Sequence, residues 1–240
     1  MKTKMTIRLA AILFAGLTIF STGCKKDEQN NDSKTKSLEQ LSKDQVTVDG
    51  ASADMLNDVN KILSGGNGKS LESLPCNVTV VSSSITNDTI TYAVTFNGLN
   101  CEGTYNRTGN AQIKKNVNTH WTNAGATVKI ILLNLKITKV ATGEYVILNG
   151  YHIFENVTGG NILNLGNNMT SIVHKISGSI EATFSDNTTL QWNVSRQMTF
   201  SGSFGQYVVT EDGFGSEASY SNLLVWGTSR QGEVFYTQIK

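Results

Sequence analysis

The chain has 240 residues, with 20 Lys and Arg against 19 Asp and Glu, a formal net charge of +1. Residues 1–23 hold Lys2, Lys4 and Arg8 and no acid, so the remainder carries 17 basic against 19 acidic residues and lacks the basic face that nucleic-acid binding needs. The 22 Gly, the single Pro (Pro75) and the many Thr, Ser, Asn and Val fit an all-β domain with many turns.

The N-terminus reads as an export signal. Lys2, Lys4 and Arg8 precede an apolar run at 9–20, and small residues follow. The run is about a dozen residues, short of the roughly 20 that span a bilayer. Ser21-Thr22-Gly23-Cys24 resembles a lipobox. That resemblance implies removal of residues 1–23 and lipidation (palmitate-type acylation) of Cys24, which would hold the protein on a membrane. An ordinary secretory signal with a chance Cys is the competing reading. Cys24-Lys25-Lys26-Asp27-Glu28 is similar to the start of mature Bacteroidetes-type lipoproteins. There, Lys followed by acids directs export to the cell surface, so the resemblance implies an outer-membrane or cell-surface location. A solvated charged linker accounts for the same residues.

Residues 24–48 hold few apolar side chains and cannot bury enough surface to offset their ordering entropy, so they read as a disordered tether. Residues 49–240 then form a single β-rich domain, long enough for one sizeable core. Its first element is a short amphipathic helix near 51–64. Ala51, Met55, Leu56, Val59, Ile62 and Leu63 fall on one stripe, Ser52 or Asp49 can cap the start, and Gly65-Gly66 stop the end.

From Asn77 onward strand patterns follow one another. Residues 89–96 alternate, with Ile90, Tyr92, Val94 and Phe96 on one face. Residues 127–140 change apolar phase near Leu132-Leu133, which predicts a β-bulge. Residues 145–157 place Val146, Leu148, His152 and Phe154 on one face, and Ile147, Tyr151 and Ile153 on the other. Further strands are expected over 172–184, 189–200, 204–210, 220–226 and 233–239, separated by Gly, Asn and Asp turns. Such neighbours usually pair antiparallel. The fold class is therefore mainly β, an antiparallel β-sandwich or strongly curved β-sheet. Cys76 and Cys101 flank a β-like segment in an exported chain, where a disulfide between them is expected. Free thiols are the alternative. Without CxxC and with three His in all, a metal site is not expected.

Cys76-Asn77-Val78-Thr79-Val80, Ile90-Thr91-Tyr92-Ala93-Val94-Thr95-Phe96, Cys101-Glu102-Gly103, Arg107-Thr108-Gly109, Asn149-Gly150 and Leu190-Gln191-Trp192 with Arg196 resemble an uncharacterised family of Bacteroidetes-type envelope lipoproteins. The resemblance covers about residues 50–240 and implies fold type and location, not activity. Members of that family often continue past this point with further strands, so a C-terminal truncation stays open.

Candidate chemistry is sparse. His152 and His174 would face each other across a hairpin centred near Leu163, where two imidazoles could begin a metal site; no third ligand joins them. Semi-buried core histidines are the alternative. Glu181 with Asp186, or Glu211-Asp212 with Glu217, could serve a glycosidase, but acids are common at turns. Gly213-Phe214-Gly215-Ser216-Glu217-Ala218 matches a dinucleotide-binding pattern without the βαβ context, and reads as a turn. Trp192 and Trp226 read as core. Trp121, beside His120 in a polar loop, reads as a ligand contact for a sugar or peptide, or as a loop ring folded on the sheet. Asp88-Thr89-Ile90 resembles an O-glycosylation site, with Thr89 as acceptor. The expected role is a lipid-anchored binding or structural module for a glycan or protein ligand, without cofactor. An envelope enzyme acting on glycans is the alternative.

Overall fold

The computed structural model describes residues 28–64, 75–203 and 206–238. Cys24 and the expected export signal at 1–23 lie outside them. The described residues form one long helix, α1 (Glu28–Ser64), and eleven strands in one antiparallel sheet. The strands are β1 (Val78–Thr86), β2 (Thr89–Leu99), β3 (Tyr105–Asn116), β4 (Ala126–Lys139), β5 (Tyr145–Asn156), β6 (Ser171–Phe184), β7 (Thr189–Ser203), β8 (Gln206–Gly213), β9 (Gly215–Glu217), β10 (Tyr220–Thr228) and β11 (Val234–Gln238).

The sheet is a meander from β1 to β7. There the edge forks: β8 pairs the C-terminal half of β7, while β10 pairs its N-terminal half and carries β9 and β11. Among the described residues no pairing joins β1 to β11, so the curved sheet stays open, with α1 packed on one face. The expected bulge is present: the β4–β5 register shifts between Leu132 and Leu135, and Asn134 takes a φ of 54°. Gly150 stands near that shift with φ 131°, where a Cβ would meet the Ser179 carbonyl oxygen at 2.1 Å. The Cys76–Cys101 disulfide is formed, with Cα atoms 5.1 Å apart.

One face of each strand from β2 to β7 is buried in a common core. Val94, Phe96, Ile113, Ile130, Leu148, Phe154, Ile180, Trp192 and Val194 line it. The faces read from alternation in β2 and β5 are the observed ones.

Residues 28–48 are not a disordered tether. They continue α1 for six turns ahead of the expected start. The reason is packing: Leu41, Asp44, Val48, Ala51, Met55 and Asp58 recur at helical spacing and turn inward. Two stripe positions are aspartates, which hides the stripe from a hydrophobic reading. Ser52 is accordingly no cap; its hydroxyl donates to the Val48 carbonyl at 2.7 Å within the helix. Side chains at 59–64 lie outside the described residues.

Three ion pairs fix α1 across the concave face. Arg230, in the β10–β11 turn, meets Asp44 at 3.1 Å; Arg196 of β7 meets Asp49 at 3.0 Å; Arg107 of β3 meets Asp58 at 2.5 Å. The only other arginine in the chain is Arg8, outside the described residues. The helix therefore runs from the β10–β11 side, over β7, to β3. It crosses the end of the sheet that holds the disulfide and the turns at 140–144, 185–188 and 229–233. We call this the clasped end. The loops at 87–88, 117–125 and 157–170 gather at the opposite, open end.

Candidate functional site

At the open end α1 no longer covers the sheet. Inner-face positions beyond Arg196 are Met198 and Phe200 on β7, paired to Glu211 and Val209 on β8. Met198 and Phe200 are half-buried, while Val209 is 47% and Tyr207 39% exposed although both point to the concave side. His174 of β6 lies opposite Met198, and its ring stands 5.4 Å from Phe200 on one side and 5.4 Å from Trp121 on the other.

Trp121 is half-buried. It folds inward onto the core and His174 rather than standing free in solvent, and its ring closes the wall of the concave face. The loop that carries it is tied down. The His120 amide donates to Asn123 Oδ1 at 2.7 Å, Gly160 N–H to the Thr122 carbonyl at 2.8 Å, and Lys115 Nζ to the Thr119 carbonyl at 3.0 Å. His120 itself is exposed at the rim.

Asn156 ends β5 directly beside His174. Its Nδ2 donates to the Trp121 carbonyl at 2.8 Å and to the Gly160 carbonyl at 3.0 Å. Both amide protons are thus used, and Oδ1 is left with no hydrogen-bond partner. His174 Nε2 is equally unpartnered. Asn156 is 0% and His174 7% exposed, so neither atom is satisfied by bulk solvent. Burial holds the His174 imidazole down to about 4, neutral at physiological pH.

His152 does not face His174. The β5–β6 connection is a loop with a 3-10 turn at Ile162–Asn164, not a tight hairpin, and it displaces the register. His152 pairs with Gly178 and His174 with Asn156. Gly178 leaves room for the His152 ring, which would lie 2.5 Å from an added Cβ. That imidazole stands 5.5 Å from Trp192 and 5.8 Å from Phe154. Burial first, and then Arg196, lower it to about 4. The two imidazoles share no ligand position, and among the described residues no group of three His, Cys, Asp or Glu could hold a metal.

The remaining expected residues are scattered. Thr89 follows a two-residue hairpin turn, Asn87-Asp88, both at positive φ. Glu181 lies mid-strand on the convex face and accepts from Gln191 at 2.6 Å. Asp186 sits in the β6–β7 turn, held below the usual carboxylate range first by the Thr188 hydroxyl and then by its amide. The two are structurally employed and do not flank a common cleft. Residues 213–218 end β8 and form the short β9.

Trp192 is core, but Trp226 is not. Pairing to β11 shifts between Leu223 and Val225, which turns Trp226 to the convex face opposite Asn193 and Tyr236. Tyr236 in turn stacks on Tyr220 at 4.4 Å. Phe200, Tyr207 and Val209 were missed as site residues. Alternation in β7 and β8 marks them as inward-facing, but nothing local shows that α1 stops short of them. Comparison with known proteins returns no match: no family model, no curated protein and no solved structure aligns with this chain.

Proposed function

We infer that this protein is a lipid-anchored envelope protein that works as a binding module, with the open end of the concave face as its contact surface. One observation carries the reading. Trp121 and Phe200, both half-buried, and the more exposed Tyr207 and Val209 line the mouth of a buried face at the end that α1 does not clasp. Half-exposed rings on a rigid support bind with little ordering cost. The leader and Cys24 support delivery to the outer membrane or cell surface, with the lipid as the membrane contact. The test has two parts. Cys24→Ala should abolish labelling by radioactive palmitate and release the protein from membranes. Trp121→Ala should abolish binding of the mature chain to isolated envelope polysaccharide, measured by calorimetry, with its circular dichroism unchanged. Unimpaired binding by Trp121→Ala would remove the open end as the contact.

A further inference from the structure

We propose that the open end takes one neutral pyranose unit of a glycan, stacked on Trp121 and hydrogen-bonded through a hydroxyl to His174 Nε2 and Asn156 Oδ1. This rests on the binding reading above and adds the ligand class.

Two independent features converge on a hydroxyl. The first is Asn156. Because its Nδ2 donates to two carbonyls, the amide cannot flip without losing both bonds, so Oδ1 is an acceptor in need of a donor. The second is His174, whose neutral imidazole leaves Nε2 free to give or take one hydrogen bond. A group that both donates and accepts fits between neighbours of this kind, and a hydroxyl is the smallest that does.

Charged groups fit badly. A carboxylate or phosphate has no proton for Asn156 Oδ1 and would approach Glu211, which lies one strand beyond Met198 in the same row. The nearest inner-face arginine, Arg196, is engaged by Asp49. An ammonium would lose its hydration beside two buried neutral atoms, and the acid of that row, Glu211, stands two strands away from His174. A sugar hydroxyl avoids both costs. The apolar C–H face of the same ring meets Trp121 and Phe200, while its outer hydroxyls remain at the rim with His120 and in water.

The experiment uses the mature chain and a panel of methyl α- and β-glucosides, galactosides and mannosides with their trisaccharides. It reads calorimetry, Trp fluorescence and the imidazole ¹⁵N shifts of His174. At least one sugar should bind and move the His174 Nε2 shift in the wild-type protein. His174→Phe, which keeps the ring and removes the nitrogen, should weaken that sugar by about tenfold or more, as should Trp121→Ala. Indole and choline serve as apolar and cationic controls. Indole binding with no sugar binding overturns the sugar class and leaves the open end as a binding site. Choline bound in preference overturns it as well. Absence of binding by every probe, leaving only an ordered water between His174 and Asn156, overturns both readings. Sugar binding that leaves the His174 shift unmoved and survives Trp121→Ala places the sugar elsewhere and also overturns the proposal.

Discussion

The two ends of the concave face are made from the same strands, yet they are closed by different means. The clasped end uses charge and covalent constraint: three aspartates of α1 on three arginines, and a disulfide beside the Arg107 contact to the Cys76 carbonyl. The open end uses packed rings and hydrogen-bonded loops, with Asn156 Nδ2 holding the Trp121 and Gly160 carbonyls, and shows no ion pair among the described residues. Asp44 and Asp49 are raised by burial, more than their arginines lower them. The ion pairs therefore fix where the helix lies more than they stabilise it. Fixing is confined to one end, which leaves the other accessible.

The sharpest way to break this contrast is at Arg107. Arg107→Ala leaves the Asp58 carboxylate buried without its cation, and should cost about 3–5 kcal/mol in urea unfolding. A loss near that of an exposed pair would show that the clasp is a surface contact. Opening the disulfide comes next. Its sequence separation of 25 predicts a loss of about 3–4 kcal/mol in the Cys76→Ser, Cys101→Ser double variant. The open end of that variant should still give the wild-type Trp121 response to ligand.

Acid discriminates the ends in a third way. His152 and His174 titrate near 6.5 when unfolded and about 4 when folded. The unfolded chain binds more protons between those values, so their contribution is complete above 6.5 and is lost as pH falls toward 4. At pH 5 the loss is about 2 kcal/mol for His152 and less for His174, whose neighbours are half-exposed. The raised Asp44 and Asp49 act with the opposite sign, favouring the folded state as pH falls into the carboxylate range. Urea midpoints at pH 7 and pH 5 should drop for the wild type and less for His152→Phe; equal midpoints for the wild type would contradict the buried neutral imidazole. The smallest effect is at Gly50, mid-helix, where an added Cβ meets nothing within 4 Å. Gly50→Ala should stabilise by roughly 0.5–1 kcal/mol, read as a raised melting temperature.

Much of the sheet was legible because period-two alternation survives in β2, β5 and β6, where Val, Ile and Phe mark the buried face. β3 escaped notice because its inner face offers only Arg107, Ala111 and Ile113. The N-terminal half of α1 escaped for a related reason. Its buried face includes Asp44, while Leu38 and Val46 are exposed, which inverts the usual polarity of a stripe. Of the site, Trp121 could be read from its polar surroundings. Its partners could not, since the register that sets Asn156 beside His174 depends on a loop whose length alternation does not encode.

The clasp also sets how the molecule carries load. α1 begins at Glu28, four residues after Cys24, a gap of at most about 14 Å. With a lipid on Cys24, any pull from the membrane enters through the helix and not through a strand. It reaches the rest of the fold first through Ser37 on Glu233 and then at Asp44, Asp49 and Asp58 in turn, along the helix axis, and loads those contacts in shear. The ladder bonds of β1 to β11 stand aside from that path, so the helix would slip from its seat before a strand peeled from the sheet.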